Sequence, residues 1–206
     1  MKNLISPQIL NFCEARLSEF DQISNERKEI LQKIAAYIRE KQDSNKPIQL
    51  VYICTHNARR SHFGQVWSAV AAAYFDFQTV ITYSGGTEET QMHPNAVASL
   101  KRSGFEITKD NNAANPMYGV AFGEGLSTPC FSKVYDHPSN PQGAFAAIMV
   151  CSDAEENCPF IPNAEMRIST TYNDPKAFDN TAEQDAQYDE RSTQIAREIL
   201  YMFSLV

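Results

Sequence analysis

The sequence predicts an α/β protein built on a parallel sheet. Short apolar runs without alternation, typical of strands buried on both faces, occur at 48–54 and 146–150. Between and after them, apolar residues recur at helical spacing, as they do over 61–75. Strands that alternate with helices favour parallel pairing and right-handed crossovers.

The composition is that of an ordinary globular protein. Among 206 residues, 18 Lys and Arg oppose 25 Asp and Glu, for a net charge of −7, and 43% are hydrophobic. Nucleic-acid and anionic-membrane binders need a basic face, so this balance argues against both. No run reaches the roughly 20 apolar residues of a membrane span, and residues 1–12 lack a secretory cleavage site. The five cysteines, an odd number, predict reduced thiols in the cytoplasm.

Residues 1–48 predict a helical hairpin. The first helix begins at Ser6 and Pro7, an N-cap followed by a first-turn proline. The second ends in the polar stretch that leads to Pro47. We expect this extension to pack on the core as a cover, with a dimer contact as the alternative.

Residues 49–206 are expected to form the main domain, with an insertion at 110–145. Its other predicted elements are strands at 79–83 and 166–170, a helix over 94–104 capped by Gly104, and a last helix that starts with a capping box at Thr181 and Gln184. Within the insertion, 118–122 and 131–135 have strand-like composition. We expect an elaborated hairpin there.

The segment 54–61, here called the Cys54 loop, has the sequence Cys-Thr-His-Asn-Ala-Arg-Arg-Ser and joins a buried strand to a helix. A tight loop at this place presents backbone N–H groups to an anion. Arg60, six positions after Cys54, adds a planar guanidinium. The same positive field favours the thiolate of Cys54, which makes it the candidate nucleophile. The alternative is an unreactive buried cysteine followed by a solvated arginine.

The other residues of the loop are candidate substrate-binding residues. Ser61 is expected to donate a hydrogen bond to the sulfur, and Asn57 to hold the loop because Asn tolerates left-handed backbone. The full set is Thr55, His56, Asn57, Ala58, Arg59 and Ser61. No metal ligands are predicted.

Three further candidates follow later strands. Cys151 ends the third core strand, so it and Cys54 could line one crevice at the sheet edge, and Cys158 follows seven positions later. Thiol–disulfide exchange is the favoured interpretation; zinc binding, a static disulfide and two unreactive thiols are the alternatives. Asp174, before Pro175, follows the last strand and is a candidate general acid, although Asp-Pro is also a common turn pair.

Together these residues resemble the low-molecular-weight protein tyrosine phosphatase superfamily, and within it the thioredoxin-coupled arsenate reductases. The Cys54 loop and Asp174-Pro175 resemble the whole superfamily, whereas the pair Cys151 and Cys158 resembles the reductases. The matching blocks are VYICTHNARRSHFGQVW, YSGGTE, HPNAVASLKRSGFEIT, MVCSDAEENCPFIP and NDPKAFDNTAEQ. The resemblance implies a parallel sheet of four strands in the order 2-1-3-4, flanked by helices.

The resemblance also implies a mechanism. Cys54 attacks arsenate while Arg60 and the loop amides hold the oxyanion, and Asp174 protonates the leaving hydroxide. Cys151 then attacks Cys54, which releases arsenite. Cys158 finally forms a disulfide with Cys151. No bound cofactor is implied, and thioredoxin or a similar thiol donor supplies the electrons.

The chain departs from the family pattern inside the loop. The family usually has Gly at the third position and Ser-Cys before the arginine, where this chain has His56, Ala58 and Arg59. We therefore expect left-handed backbone at His56 and extra charge at the mouth from Arg59. Gln65 stands where reductases with a potassium site have Glu, so that ion is not predicted.

Two other functions remain open from the sequence. A phosphomonoester hydrolase needs only Cys54, Arg60 and Asp174, and the loop cannot distinguish phosphate from arsenate because the two anions share shape and charge. A non-catalytic oxyanion sensor is the third possibility.

Overall fold

The computed structural model describes residues 1–110, 113–157 and 160–206. The helices are α1 (Pro7–Leu17), α2 (Asn25–Asp43), α3 (Arg60–Tyr74), α4 (Pro94–Arg102), α5 (Ser152–Asn157) and α6 (Gln184–Ser204). The strands are β1 (Ile48–Cys54), β2 (Val80–Gly86), β3 (Glu106–Lys109), β4 (Tyr118–Gly123), β5 (Leu126–Cys130), β6 (Phe145–Met149) and β7 (Ala164–Ser169).

The main sheet has four parallel strands in the order β2-β1-β6-β7. Counted among the core strands alone this is the predicted order 2-1-3-4, and the predicted α/β class is confirmed. β6 is completely buried and β1 is buried except at Gln49, which explains why neither strand shows an alternating pattern. The carboxyl ends of β1 and β6 lie side by side, so the residues that follow them meet at one edge.

A second, antiparallel sheet of three strands has the order β3-β4-β5. The predicted strand at 118–122 is confirmed as β4, but the predicted partner at 131–135 is wrong, because the hairpin returns at once as β5. Its short turn ends at Gly125, whose φ of +67° suits glycine. Pro129 is tolerated in β5 because β5 is an edge strand of this sheet.

Two predicted helix boundaries need correction. α6 begins at Gln184 rather than Thr181, and the predicted capping box does not form. Thr181 Oγ1 instead donates to the carbonyl of Phe178, and Gln184 Oε1 accepts from the N–H of Asn180. α4 ends at Arg102 with Ser103 as its C-cap, and Gly104 takes positive φ one position later.

The N-terminal helices pack against the last one. α1 and α2 both contact α6, and α2 also contacts β1 and β7. Phe12 of α1 stacks on Trp67 of α3 with ring centroids 4.7 Å apart, and Trp67 Nε1 donates to Ser192 Oγ of α6 at 2.9 Å. No helix in the described part of the chain is long and apolar enough to span a membrane.

Candidate active site

The Cys54 loop turns its carbonyl groups outward. The carbonyls of residues 54–58 all accept hydrogen bonds from surrounding residues: from Thr87, Glu88, Thr90, Ser132, His62 and His93. In the described part of the chain, the N–H groups of residues 55–59 have no protein acceptor. The loop therefore presents a set of free amide donors at the carboxyl end of β1, as an anion-binding nest requires.

The left-handed residue of the loop is Asn57, with φ +43°, and the prediction of left-handed backbone at His56 is wrong. Asn57 is fixed in this conformation by both ends of its side chain. Its Oδ1 accepts from the N–H of Lys133 at 2.9 Å, and its Nδ2 donates to Ser61 Oγ at 2.8 Å. His56 faces the exposed rim, where Nε2 lies 3.3 Å from Glu88 Oε1.

The sulfur of Cys54 lies 3.0 Å from Ser61 Oγ and is buried, with 4% of the residue exposed. Asn57 Nδ2 donates to that hydroxyl oxygen, which leaves the hydroxyl proton of Ser61 available to the sulfur. The predicted contact between Ser61 and Cys54 is present, and a hydroxyl that donates to a thiolate forms a charge-assisted hydrogen bond.

A buried histidine, which was not among the predicted site residues, supports the loop from behind. His62 Nε2 lies 2.8 Å from the carbonyl oxygen of Asn57, and Nδ1 lies 3.2 Å from Ser84 Oγ. A carbonyl can only accept, so the proton is on Nε2 and Nδ1 accepts from Ser84. Burial lowers the pKa of His62 to about 3, and the positive charge of Lys133 adds to the effect. The imidazole is therefore neutral near pH 7.

Arg60 brings the loop together with the candidate acid. Its Nη2 donates to Asp174 Oδ2 at 2.7 Å, and its Nη1 donates to the carbonyl of Tyr172 at 2.7 Å. Asp174 Oδ1 accepts from the N–H of Lys176, so the same carboxylate caps the short helical turn Pro175–Phe178. The structure thus joins two predicted site residues that are 114 positions apart.

Arg59 is directed elsewhere. Its Nε donates to the hydroxyl of Tyr188 at 2.6 Å, and its Nη2 donates to Asp179 Oδ2 at 3.0 Å. Only 8% of this residue is exposed. The neighbouring Ala58 is also buried and contributes its backbone to the loop. Asp179 and Tyr188 were not predicted, because nothing local in the sequence pairs them with Arg59.

Cys151 lies beside the loop, as its place after β6 predicts. Its Sγ is 3.4 Å from Thr55 Oγ1 and accepts from the N–H of Ala154 at 3.3 Å. The residue is completely buried. α5 follows directly, and Cys158, the third predicted thiol, lies outside the described residues.

The other two described thiols and Gln65 have different surroundings. Burial raises the pKa of Cys13 and of Cys130 to about 12, so both stay protonated. Gln65 Nε2 donates to Thr128 Oγ1 at 2.9 Å and to the carbonyl of Pro129 at 2.8 Å. Among the described residues, no cluster of three His, Cys, Asp or Glu side chains could hold a metal ion.

Comparison of the fold with solved structures gives matches over three quarters of the chain. An arsenate reductase from Archaeoglobus fulgidus superposes with a TM-score of 0.52 at 14% identity, over 75% of this chain and 98% of that one. A low-molecular-weight protein tyrosine phosphatase from T. tengcongensis gives 0.54 at 11% identity, over 77% and 99%. This is the low-molecular-weight phosphatase fold.

Sequence comparison adds relatives that are named arsenate reductases. The chain is 25% identical over 126 residues to arsenate reductase 2 of Staphylococcus epidermidis, which is 61% of this chain and 77% of the relative. It is 24% identical over 135 residues to the arsenate reductase of Bacillus licheniformis, or 66% and 79%. No family model matches the chain. The predicted resemblance, to the superfamily and within it to arsenate reductases, is confirmed.

Proposed function

We propose that this protein is an arsenate reductase that uses Cys54 as nucleophile and a second thiol, Cys151, as reductant. The observation that carries the proposal is the position of the Cys151 sulfur against the Cys54 loop, 3.4 Å from Thr55 Oγ1. A hydrolase of this fold needs the nest, Arg60 and Asp174, but has no use for a thiol at that place. The named arsenate reductases among the relatives support the same choice.

The first step is attack by the Cys54 thiolate on arsenate. The sulfur–arsenic bond forms and the bond from arsenic to one oxygen breaks. Asp174, once released from Arg60, takes a proton from the bound hydrogen arsenate and passes it to this oxygen, which leaves as water. The free amides of the nest and the guanidinium of Arg60 stabilise the oxyanion in this step. Arg60 now holds Asp174, so it exchanges this carboxylate for the substrate anion when arsenate enters.

The second and third steps move two electrons. The Cys151 thiolate attacks the sulfur of Cys54, the sulfur–arsenic bond breaks, and its electron pair reduces arsenic(V) to arsenic(III), released as arsenite. Cys158 then attacks Cys151 and frees Cys54 as a thiolate. An external dithiol of the thioredoxin class reduces the Cys151–Cys158 disulfide. This cycle suits a reducing compartment such as the cytoplasm.

Single turnover without reductant tests the proposal. Reduced protein is desalted, mixed with arsenate, alkylated and mapped by mass spectrometry, and arsenite is quantified. We expect about one arsenite per chain and a Cys151–Cys158 linkage in the wild type. Cys158→Ser should stop at a Cys54–Cys151 linkage, and Cys151→Ser should release no arsenite. Cys130→Ser, which changes a protonated buried thiol, is the matched control and should behave as the wild type.

Undiminished arsenite release by Cys151→Ser in this single turnover would contradict the proposal, as would a Cys158→Ser protein that releases arsenite without a Cys54–Cys151 linkage. The second candidate is a phosphomonoesterase, which the contact between Arg60 and Asp174 supports equally, since hydrolysis needs these two residues and Cys54 but no second thiol. Hydrolysis of p-nitrophenyl phosphate that survives both substitutions, without arsenite release by the wild type, would establish that function instead. Phosphate binding with neither reaction would indicate an oxyanion sensor.

A further inference from the structure

Two consecutive arginines of the Cys54 loop hold the two ends of one segment. Arg60 Nη2 contacts Asp174 Oδ2 at 2.7 Å, and Arg59 Nη2 contacts Asp179 Oδ2 at 3.0 Å. The two aspartates flank the helical turn Pro175–Phe178. We call residues 174–179 the Asp174 segment. Both of its ends are therefore attached to the loop that carries the nucleophile.

The attachment at Asp179 is the more extensive of the two. Asp179 Oδ1 accepts from the hydroxyl of Tyr188 at 2.7 Å and from Asn95 Nδ2 at 3.0 Å. Arg59 Nε donates to the same Tyr188 hydroxyl at 2.6 Å. Hydrogen bonds to charged groups are roughly twice as strong as neutral ones. Asp179 is thus held by residues from the loop, α4 and α6.

Protonation does not break this attachment near neutral pH. Burial acts to raise the pKa of Asp179, but the hydrogen bonds from Tyr188 and Asn95 and the charge of Arg59 outweigh it, so the pKa is lowered. Burial and the neighbouring Asp179 raise the pKa of Tyr188 to about 12. Asp179 therefore stays ionised and Tyr188 stays a donor.

In the proposed function the two arginines have different roles when the substrate binds. An anion in the nest engages Arg60, and Asp174 then loses its contact with that guanidinium. Arg59 has two of its nitrogens bonded to Tyr188 and Asp179 and is free to keep them. We infer that Arg59 is a positioning residue: through Asp179 and Tyr188 it holds the Asp174 segment over the nest while Arg60 binds the oxyanion. The inference rests on the proposed function in giving Asp174 the role of acid.

A double-mutant cycle with Asp174 tests this role. We expect Arg59→Met to lower kcat for arsenate about 10- to 100-fold with KM changed less than threefold, because general acid catalysis contributes effects of this size or larger. In the double variant, Arg59→Met should lower kcat little further than Asp174→Asn alone, since both substitutions remove the general acid catalysis by Asp174. Inorganic phosphate, as a competitive inhibitor, should bind within about twofold of the wild type. If Arg59 bound the substrate directly, Arg59→Met would instead weaken phosphate binding tenfold or more. Its loss of kcat would also add in full to that of Asp174→Asn.

Conservative variants and a matched control accompany the cycle. Arg59→Lys cannot bridge Tyr188 and Asp179 with one point charge, so it should give an intermediate loss. Asp179→Asn should reproduce Arg59→Met. Arg102→Met removes a bidentate contact from an arginine to Asp189 on α6 that lies apart from the loop, and should leave kcat unchanged.

Amide hydrogen exchange separates this inference from the proposed function. Exchange across residues 174–179 should be faster in Arg59→Met than in the wild type and unchanged in Arg102→Met, whatever reaction the protein catalyses. A wild-type protein that releases no arsenite contradicts the proposed function only, and the exchange of the segment still decides the role of Arg59. Unchanged exchange in both Arg59→Met and Asp179→Asn would overturn the inference.

Discussion

Lys133 carries a buried charge behind the Cys54 loop. Only 3% of the residue is exposed, and its Nζ contacts the carbonyl of Phe131 at 3.4 Å and lies 4.3 Å from the centre of that residue's ring. Within the described ranges it forms no ion pair. Burial lowers its pKa from the usual 10.5 to about 8, while the nearby Cys130 acts in the opposite direction. The charged form is therefore destabilising at neutral pH.

Lys133→Met should stabilise the protein at pH 7 by about 1–3 kcal/mol, since a pKa lowered this far corresponds to about 3 kcal/mol. Between pH 8 and the usual 10.5 the unfolded chain binds the proton more tightly than the folded protein. Wild-type stability therefore rises with pH over this interval, and the advantage of the variant should shrink by about 2 kcal/mol from pH 7 to pH 9.5. Urea unfolding at both pH values measures this, and an advantage that does not change with pH would contradict it.

Some site residues were predictable because their partners are close in the sequence, whereas others were not. Cys54, Asn57 and Ser61 lie within one loop, so their contacts follow from spacing and from the backbone that Asn tolerates. His62 and Asp179 act through partners brought close only by folding. Arg59 shows the difference: its charge was predicted at the mouth, and its actual partner, Tyr188, is 129 positions away.

At the scale of elements, the position of the loop depends on close packing of α3 against β1. A Cβ added at Gly64 would lie 2.4 Å from Cδ1 and 2.5 Å from Cγ of Tyr52. Tyr52 is buried and its hydroxyl is bonded to Ser68 Oγ, so the ring cannot move away. Gly64 thus allows the helix that begins with Arg60 to approach the strand that ends with Cys54.

Gly64→Ala should therefore lower the free energy of unfolding by about 1–3 kcal/mol through overpacking, although alanine is favoured over glycine in a helix by about 1 kcal/mol. The same shift of α3 should reduce turnover by moving Arg60 away from Cys54. The control is Gly143→Ala, where the added Cβ meets only Asn163 Cβ at 3.8 Å and no loss is expected. Denaturant unfolding and single-turnover assays measure both effects, and a stabilised Gly64→Ala with full activity would refute the argument.

The elements of the main sheet were predictable because burial on both faces leaves unbroken apolar runs. The small sheet was harder. β3 has only four residues, three of them exposed, so it has no apolar signature. The position of β5 is set by the turn at Gly125 and by an edge that tolerates Pro129, and tertiary pairing rather than composition decided between 126–130 and 131–135.

For the whole molecule, we propose that residues 1–48 belong to the same cooperative unit as the sheet. The apolar side of α2 is buried at Leu31, Ile34, Ala35 and Ile38, and this helix contacts β1, β7 and α6. The helices were predictable from the spacing of their apolar residues. Their packing partners were not, because an amphipathic helix can bury its apolar face against any apolar surface of the right size.

Ile38→Ala should cost about 2–5 kcal/mol of stability, the usual range for a completely buried isoleucine. The kcat of the protein that remains folded should not change, since α2 contributes no residue to the candidate site. The control is Ile81→Ala. Ile81 is 50% exposed, so this substitution should change stability by no more than about 0.5 kcal/mol. An unfolding curve in which α2 melts separately from the rest would contradict the single unit.

Trp67 is the only tryptophan of the chain. Its indole stacks on Phe12, meets Phe105 edge-on at 5.0 Å and is bonded to Ser192. The protein thus carries one native fluorophore at the junction of its first, third and last long helices. Loss of either neighbouring helix would expose that ring to water and shift its fluorescence emission to longer wavelength. Intrinsic fluorescence of the unlabelled protein therefore reports the docking of these helices.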